Sequence, residues 1–323
     1  TPFRSDRRLQ AATTVVTPCY NDWKSLAALV PALEAALPEG PLELLIINDN
    51  PFGPPAEPLE SARFRRIRLL NLTRNLGHQR AIAMGLTFLA GEQPSGTVLV
   101  MDADGEDRPE DAARLLQAAR PDVLVFAQRT RRSESLLFRL GYFFYRSLYG
   151  MLTGNSIRMG NFSVIPGPLL AKIAALPEIW THYAAGIQRT GVPYIHIPTQ
   201  RGKRLDGASS MNTTALVTHG LSAVSVHSDR VGVRLLLVSQ VFIGIVFALM
   251  LTVVGVKFGT TLAIPGWATS AFGLTLILLT QLIITSFFFV FFVLGSRTHQ
   301  NFVPARDFQH YLSEVVVWKE LAP

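Results

Sequence analysis

Two stretches without a charged side chain dominate the pattern of apolar and polar positions along the chain. They cover residues 235–256 and 268–294. Each is long enough to cross a hydrocarbon core of roughly 30 Å at about 1.5 Å per residue. The segment 257–267 is short enough to be a turn, so the pattern predicts a transmembrane hairpin. The alternative is two buried helices of a soluble protein, which rarely run this long without a polar face.

The residues before about 200 follow a different pattern, in which short apolar runs alternate with segments of helical spacing. Strands are predicted at 12–16, 42–47, 67–71 and 97–101, and helices at 25–37 and 79–90. Strands that alternate with helices pair into a mostly parallel sheet with helices on both faces. The predicted fold class is therefore α/β.

The two patterns divide the chain into four segments. An α/β domain takes residues 1–204, amphipathic juxtamembrane helices take 205–233, the hairpin takes 234–296, and a C-terminal tail takes 297–323. Basic residues flank the outer ends of the hairpin (Arg230, Arg234, Arg297, Arg306 and Lys319), whereas its loop has Lys257 alone. Because positive charge stays on the cytoplasmic side, the α/β domain and both termini are predicted to be cytoplasmic.

Composition and charge narrow the choice of partners. Only 16% of the residues are charged and 49% are hydrophobic. The charged fraction is low for a wholly soluble protein. The net charge of +7 suits a phosphate-rich partner, an anionic membrane face or nucleic acid. Nucleic acid is disfavoured because no known recognition module appears. The single cysteine, Cys19, cannot form an internal disulfide, and no Cys/His cluster indicates zinc.

A cluster of carboxylates follows the fourth predicted strand and consists of Asp102, Asp104, Glu106 and Asp107. Ligands of such sheets bind beyond the carboxyl ends of the strands, which places the cluster on one rim with residues 18–22 and 48–50. Carboxylates two residues apart can hold a divalent cation, and hard oxygen ligands suit Mg²⁺ or Mn²⁺. The alternative is a solvated loop that leads into a helix at Pro109.

The motifs at these strand ends resemble a known family. The segments TPCYND, IIND, LTRNLGHQRAIAMGL and VMDADGEDRPED resemble the nucleotide-sugar domain of family 2 glycosyltransferases of the GT-A fold. VFAQRTRR, MGNFSVI, RLDGASSMN, LVTHGLSAVSVHSD and the two spans resemble its polyprenyl-phosphate branch, which includes dolichyl-phosphate mannose synthases and bacterial undecaprenyl-phosphate glucosyl-type transferases. The resemblance implies transfer of a sugar, with inversion, from a UDP- or GDP-linked donor to polyprenyl (undecaprenyl) phosphate. The implied location is the cytoplasmic face of a bacterial inner membrane.

The resemblance also implies a donor site. The loop that encloses the base and ribose would contain Pro18, Tyr20, Asn21 and Asp22. Asp49 would accept a hydrogen bond from the base or ribose, Arg74 and Gly77 would lie near the ribose and diphosphate, and Arg204 and Ser209 would close over the diphosphate. The family usually has two acids where this chain has Asp49-Asn50. The alternative for Asp49 is a turn residue before Pro51.

Within the acidic motif, the resemblance implies that Asp102 orients the nucleotide and that Asp102, Asp104 and Glu106 hold Mg²⁺ or Mn²⁺. The cation would neutralise charge on the departing nucleoside diphosphate. The family often has leucine where Gly105 stands and glutamine where Glu106 stands, so this chain departs from the pattern at two adjacent positions.

Arginines beyond the acidic motif are expected to bind the lipid phosphate. Arg129, Arg132 and Arg139 are assigned to the acceptor, and Arg129 is also counted as catalytic beside Asp102 and Asp104. Guanidinium groups match phosphate oxygens better than ammonium does. The aromatic residues of 135–152 predict a helix at the membrane surface. The alternative is a basic face that merely attracts anionic lipid.

Other functions compete with this interpretation. A processive polysaccharide synthase would share the sugar-binding domain, but its QxxRW motif is absent around Trp180, the nearest candidate. An inactive membrane scaffold is disfavoured because the carboxylates and arginines are retained. The resemblance also implies a tetramer, and Gln240 and Gln281 could hydrogen-bond across the helix pair or between copies.

Overall fold

The computed structural model describes residues 12–53, 57–92, 96–129, 136–156, 159–206, 213–261, 264–298 and 302–321. These residues form two compact units. The first, called the α/β unit, takes the described residues within Thr1–Tyr142, Ile157–Val226 and Asn301–Pro323. The second, called the hairpin unit, takes those within Phe143–Ser156 and His227–Gln300.

The α/β unit is built on one sheet of eight strands, in the order β7-β5-β6-β4-β1-β2-β3-β8. The strands are β1 (Thr13–Cys19), β2 (Leu42–Asn48), β3 (Phe64–Leu72), β4 (Thr97–Val100), β5 (Leu124–Arg129), β6 (Ser163–Pro166), β7 (Tyr194–Thr199) and β8 (Leu312–Glu320). The contiguous block β4-β1-β2-β3 is parallel, whereas β6 and β8 run antiparallel to their neighbours. The predicted α/β class with a mostly parallel sheet is confirmed.

Helices cover both faces of the sheet. The described helices of the α/β unit are α1 (Trp23–Ala36), α2 (His78–Glu92), α3 (Pro109–Gln117), α5 (Gly167–Ala174), α6 (Glu178–Thr181), α7 (Tyr183–Arg189) and α8 (Thr213–Ser225), with the short α11 (Pro304–Asp307) near the end of the chain. Successive residues of β1 belong to different apolar clusters. Val15 lies in the cluster that contains residues of α1 and α3, and Val16 lies in the cluster that contains residues of α2, α5 and α7. Because both faces are buried, these strands read as continuous apolar runs in the sequence.

The C-terminal segment differs from its prediction. Residues 297–323 are predicted as a tail, but Leu312–Glu320 forms β8, which pairs antiparallel with β3 and completes one edge of the sheet. A 3₁₀ turn at Phe308–Tyr311 leads into it. The segment therefore belongs to the α/β unit, and its pairing partner lies far away in the sequence.

The hairpin unit contains two helices that are long and apolar enough to cross a membrane, α9 (Ser228–Gly259) and α10 (Trp267–Thr298). Residues 228–233, predicted as juxtamembrane helix, are continuous with the first span. Ser239 and Ser286 approach each other to 2.9 Å between their Oγ atoms, and Gln240 donates to Ser286 at 3.1 Å. Polar contacts thus join the helices, as predicted for Gln240.

The aromatic helix predicted at 135–152 is α4 (Leu136–Thr153), whose residues from Phe143 on belong to the hairpin unit. Phe143 and Phe144 are exposed, as expected for an interfacial helix. Tyr149 differs from them, because it is buried with its ring edge-on to His227.

Candidate active site

The rim of the parallel block carries the predicted donor residues. Adjacent parallel strands end at the same edge of the sheet, so the segments that follow β1, β2 and β4 lie side by side. Pro18 is paired with Ile47 inside the sheet, and Tyr20 is 48% exposed just beyond β1. Asn21 has a φ of 66°, a left-handed conformation that asparagine tolerates better than most residues.

Amide side chains join the loops after β1 and β2. Asn50 donates through Nδ2 to Oδ1 of Asn21 at 2.7 Å, and its backbone N–H donates to Oδ1 of Asn48 at 3.1 Å. A carboxylate at position 50 could not make the first of these bonds. The departure from the family's two acids is therefore matched by an amide pair between the loops.

Asp49 lies beneath this rim and is only 3% exposed. Its Oδ1 accepts from the backbone N–H of Leu76 at 2.6 Å, and its Oδ2 accepts from that of Gly77 at 2.9 Å. Burial raises the pKa of Asp49, and the two backbone donors offset part of the rise. Gly77, with a φ of +86°, thus brings its N–H to an anion, but the anion is the protein's own carboxylate. Asp49 braces the loop before α2, and its predicted bond to a base or ribose stays a prediction.

The same loop is held from its other side by the C-terminal segment. The backbone N–H of Thr73 donates to the carbonyl of Tyr311 at 2.9 Å, and the Arg74 guanidinium lies 5.5 Å from the centre of the Tyr311 ring. Tyr311 is a contact of the predicted donor site that the sequence pattern gave no reason to choose, because it lies in the segment predicted as a tail.

The acidic loop, defined as residues 102–107, follows β4. Nε2 of His78 lies 3.1 Å from Oδ1 of Asp102, and the carboxylates around His78, Asp102 first, raise its pKa against the opposing effect of burial. Burial raises the pKa of Asp102, but His78, Arg129 and Arg204 outweigh it and the net shift is downward. Asp107 accepts from the N–H of Asp102 at 3.1 Å. Burial and the charge of Asp102 raise the pKa of Asp107 to about 7.

Arg204 lies between two carboxylates of the predicted site. Its Nη1 is 3.1 Å from Oδ2 of Asp104, and its Nη2 is 2.9 Å from Oδ1 of Asp22. The structure therefore brings together three of the predicted donor and metal residues, which come from the segments after β1, β4 and β7.

Glu106 is engaged differently from its prediction as a metal ligand. Arg201 donates to it with two nitrogens at 2.7 and 2.8 Å, and Nη1 of Arg129 lies 3.7 Å from Oε2. Arg129 also donates to Asp107 at 3.3 Å. Among the described residues, no three Asp, Glu, His or Cys side chains are gathered as a metal site. The predicted set of three carboxylates is not assembled, because Glu106 is turned to the two arginines.

Asp102 and Asp104 nevertheless fit a divalent cation. Oδ1 of Asp102 is buried and accepts no hydrogen bond of normal geometry from the described residues, although His78 is near. Mg²⁺ and similar ions are usually held by one or two carboxylates and completed by substrate phosphates. Two hard carboxylates, one with a buried oxygen that faces His78, match that mode of binding.

The predicted acceptor arginines are only partly placed. Arg129 ends β5 beside the acidic loop. Arg132 and Ser209 lie outside the described residues, as does the side chain of Arg139. Arg129 is thus the acceptor candidate that the structure brings to the carboxylates.

The sequence of the chain is similar to those of known glycosyltransferases. Residues 14–172 match the family model described as Glycosyl transferase family 2. An uncharacterised glycosyltransferase, YkcC of Bacillus subtilis, is 25% identical over 79% of this chain and 80% of its own. The undecaprenyl-phosphate 4-deoxy-4-formamido-L-arabinose transferase of Edwardsiella ictaluri is 27% identical over 82% of each chain.

Among solved structures, the chain is similar to glucosyl-3-phosphoglycerate synthase from Mycobacterium tuberculosis, whose crystal structure contains Mn²⁺, UDP and glucosyl-3-phosphoglycerate. The identity is 13% and the TM-score is 0.46, over 69% of this chain and 80% of that one.

Proposed function

We propose, from the premise that this chain is a glycosyltransferase with a family 2 domain at residues 14–172, that it moves a sugar from a nucleotide-diphosphate donor to polyprenyl phosphate. The observation that carries the proposal is the extent of similarity to the Edwardsiella transferase, which spans 82% of both chains. The apolar helices α9 and α10 would place the chain in the membrane that contains a lipid acceptor.

The donor binds at the rim beyond β1, β2 and β4. Asp102 and Asp104 would hold Mg²⁺ or Mn²⁺ together with the donor diphosphate, and the cation would supply positive charge to the leaving group. Arg204 and Ser209 contact the diphosphate, and Arg74 lies near the ribose. Asp49 and Gly77 support this site by fixing the loop before α2, and Tyr20 to Asp22 enclose the nucleotide.

The acceptor phosphate binds Arg129, Arg132 and Arg139. A phosphate is already ionised at neutral pH, so alignment of donor and acceptor suffices and no strong general base is needed. A single displacement at the anomeric carbon inverts its configuration. The reaction takes place on the cytoplasmic face of a bacterial inner membrane, with both termini on that side, and the enzyme works as a homo-oligomer, which we take to be a tetramer.

The test is transfer of labelled sugar from a panel of UDP- and GDP-sugars to undecaprenyl phosphate, with Mg²⁺ or Mn²⁺, by the purified protein in detergent. Asp104→Asn should lose about 10²–10³-fold in turnover, as when one group that stabilises developing charge is removed. Glu110→Gln, at an exposed carboxylate paired with Arg108, serves as the control and should retain activity. A folded protein that makes no lipid-linked sugar from any donor would favour the inactive scaffold.

A further inference from the structure

The segment after β7 crosses the acidic loop and is bonded to it by its backbone. We call residues 200–206 the strap. The N–H of Gly202 donates to the carbonyl of Glu106 at 2.8 Å, and the N–H of Leu205 donates to the carbonyl of Asp104 at 2.9 Å. The strap thus lies along the acidic loop, and Arg204 projects from it to Asp22 and Asp104.

A fork of hydrogen bonds fixes one end of the strap. Nε of Arg201 donates to Oε2 of Glu106 at 2.8 Å, and Nη2 donates to Oε1 at 2.7 Å. The Glu106 side chain is only 14% exposed. A two-point guanidinium–carboxylate pair is among the stronger and more directional contacts of side chains. Because both oxygens of Glu106 are used, the carboxylate is poorly placed to serve as a third ligand of a cation.

At the other end of the strap, the Leu205 side chain lies over Gly105. Gly105 has a φ of +83°, and a Cβ built on it would lie 2.5 Å from Cγ of Leu205. A side chain at position 105 would therefore require the half-exposed Leu205 side chain to move. The two adjacent departures from the family pattern, at positions 105 and 106, each meet a residue of the strap.

We propose that Glu106 is the anchor of the strap and not a metal ligand, and that its pair with Arg201 positions Arg204 on Asp104 until the donor and its cation take that carboxylate. Glu106 and Arg201 are positioning residues in this scheme. The last step rests on the proposed function, whereas the anchor itself rests on the contacts of Arg201, Leu205 and the two backbone hydrogen bonds.

Limited proteolysis of the purified full chain tests the anchor without turnover. Trypsin can cut after Lys203 and Arg204, and the sites can be followed by mass spectrometry. Glu106→Gln keeps the size of the side chain but loses its charge, and it should speed cleavage at these two bonds about tenfold. Arg201→Gln removes the charge on the other side of the pair and should speed cleavage at these two bonds to a similar extent. Glu110→Gln, which faces Arg108, is the matched control and should leave the rate unchanged.

Binding of Mn²⁺ in the presence of UDP or GDP, followed by electron paramagnetic resonance, separates the anchor from a ligand. Glu106→Gln should keep the affinity for Mn²⁺ within about threefold, whereas Asp104→Asn should weaken it at least tenfold. A tenfold loss of Mn²⁺ binding in Glu106→Gln, or an unchanged cleavage rate in that variant, overturns the proposal. Failure to transfer sugar with the expected cleavage rates would instead count against the proposed function and leave the anchor in place.

Discussion

Asp49 and Asp104 are aspartates on the same rim of the sheet, but they differ in the partner of their second oxygen. Both oxygens of Asp49 accept backbone N–H groups of the loop before α2. Asp104 meets the N–H of Glu106 with one oxygen and the Arg204 guanidinium with the other. A backbone donor is fixed by the fold, whereas an arginine on a strap can leave. We call Asp49 and its two backbone hydrogen bonds the brace. The kind of partner that a carboxylate has therefore distinguishes a brace from an exchangeable site more reliably than the position of the carboxylate at a strand end.

The largest expected effect is on folding. Asp49→Ala would leave the buried N–H of Leu76 and the half-buried N–H of Gly77 without acceptors, and we expect a loss of about 2–4 kcal/mol in the free energy of unfolding. Asp104→Ala should cost about 1 kcal/mol or less, since its main partner is a charged side chain that keeps Asp22. Chemical denaturation in detergent, followed by circular dichroism, measures both. Equal losses of unfolding free energy in the two variants would contradict the distinction between the brace at Asp49 and the exchangeable site at Asp104.

Cys19 gives a local probe of the same brace. It is the one cysteine of the chain, its side chain is buried, and its carbonyl accepts the N–H of Asp49 at 3.0 Å. Burial raises the pKa of its thiol to about 12, so the reactive thiolate is scarce at pH 8. The stability tied to the protonated thiol is present below the ordinary thiol pKa and is lost as the pH rises toward 12.

We therefore expect slow alkylation by iodoacetamide at pH 8 in the wild type and a rate about tenfold higher in Asp49→Ala. Asp104→Ala should leave the rate near that of the wild type. An equal rise in the two variants would mean that the thiol reports general loosening and not the brace.

A smaller effect is expected at Tyr311, which supports the braced loop from the C-terminal segment. Exposed cation–π contacts contribute about 0.5–1 kcal/mol. Tyr311→Leu should therefore raise the KM for the nucleotide sugar about two- to fivefold with little change in kcat. Tyr311→Phe keeps the ring beneath Arg74 and should behave as the wild type. A fall in kcat in both variants would point to a structural role alone.

The smallest effect is expected for a carboxylate that is neither buried nor in the site. Glu320 on β8 pairs with Arg66 on β3, and the two side chains are 50% and 37% exposed. Exposed pairs contribute little, so Glu320→Gln should change the unfolding free energy by less than about 0.5 kcal/mol. Denaturation under the conditions used for Asp49→Ala provides the comparison. A loss of unfolding free energy near that of Asp49→Ala would show that burial of the carboxylate does not determine the size of the loss.

The fold was predictable where local pattern and burial agree. β1 to β4 appear as apolar runs because both of their faces are covered, and the hairpin appears because its helices lack charge. β8 could not be predicted in the same way. It is an edge strand whose partner, β3, lies more than two hundred residues earlier, and a local pattern does not encode such pairing.

In the site, too, some features follow from the local sequence pattern and others do not. The positions of Asp49 and Asp102 at strand ends follow from the topology of a parallel sheet. Their partners do not, because Arg204 is 100 residues from Asp104 in the chain and the fold alone brings them together. Asp107 belongs to the predicted acidic cluster, but its role as an acceptor for the N–H of Asp102 and for Arg129 follows only from the structure.

The return of the chain to form β8 has a practical consequence for anyone who wants a water-soluble fragment of this enzyme. Cutting the chain before the hairpin would discard β8 and leave β3 as an open edge, and open edges promote aggregation. A better design keeps residues 302–321 and replaces the hairpin with a flexible linker from the end of α8. Such a fragment would retain the complete sheet together with Tyr311 and the brace of the donor loop.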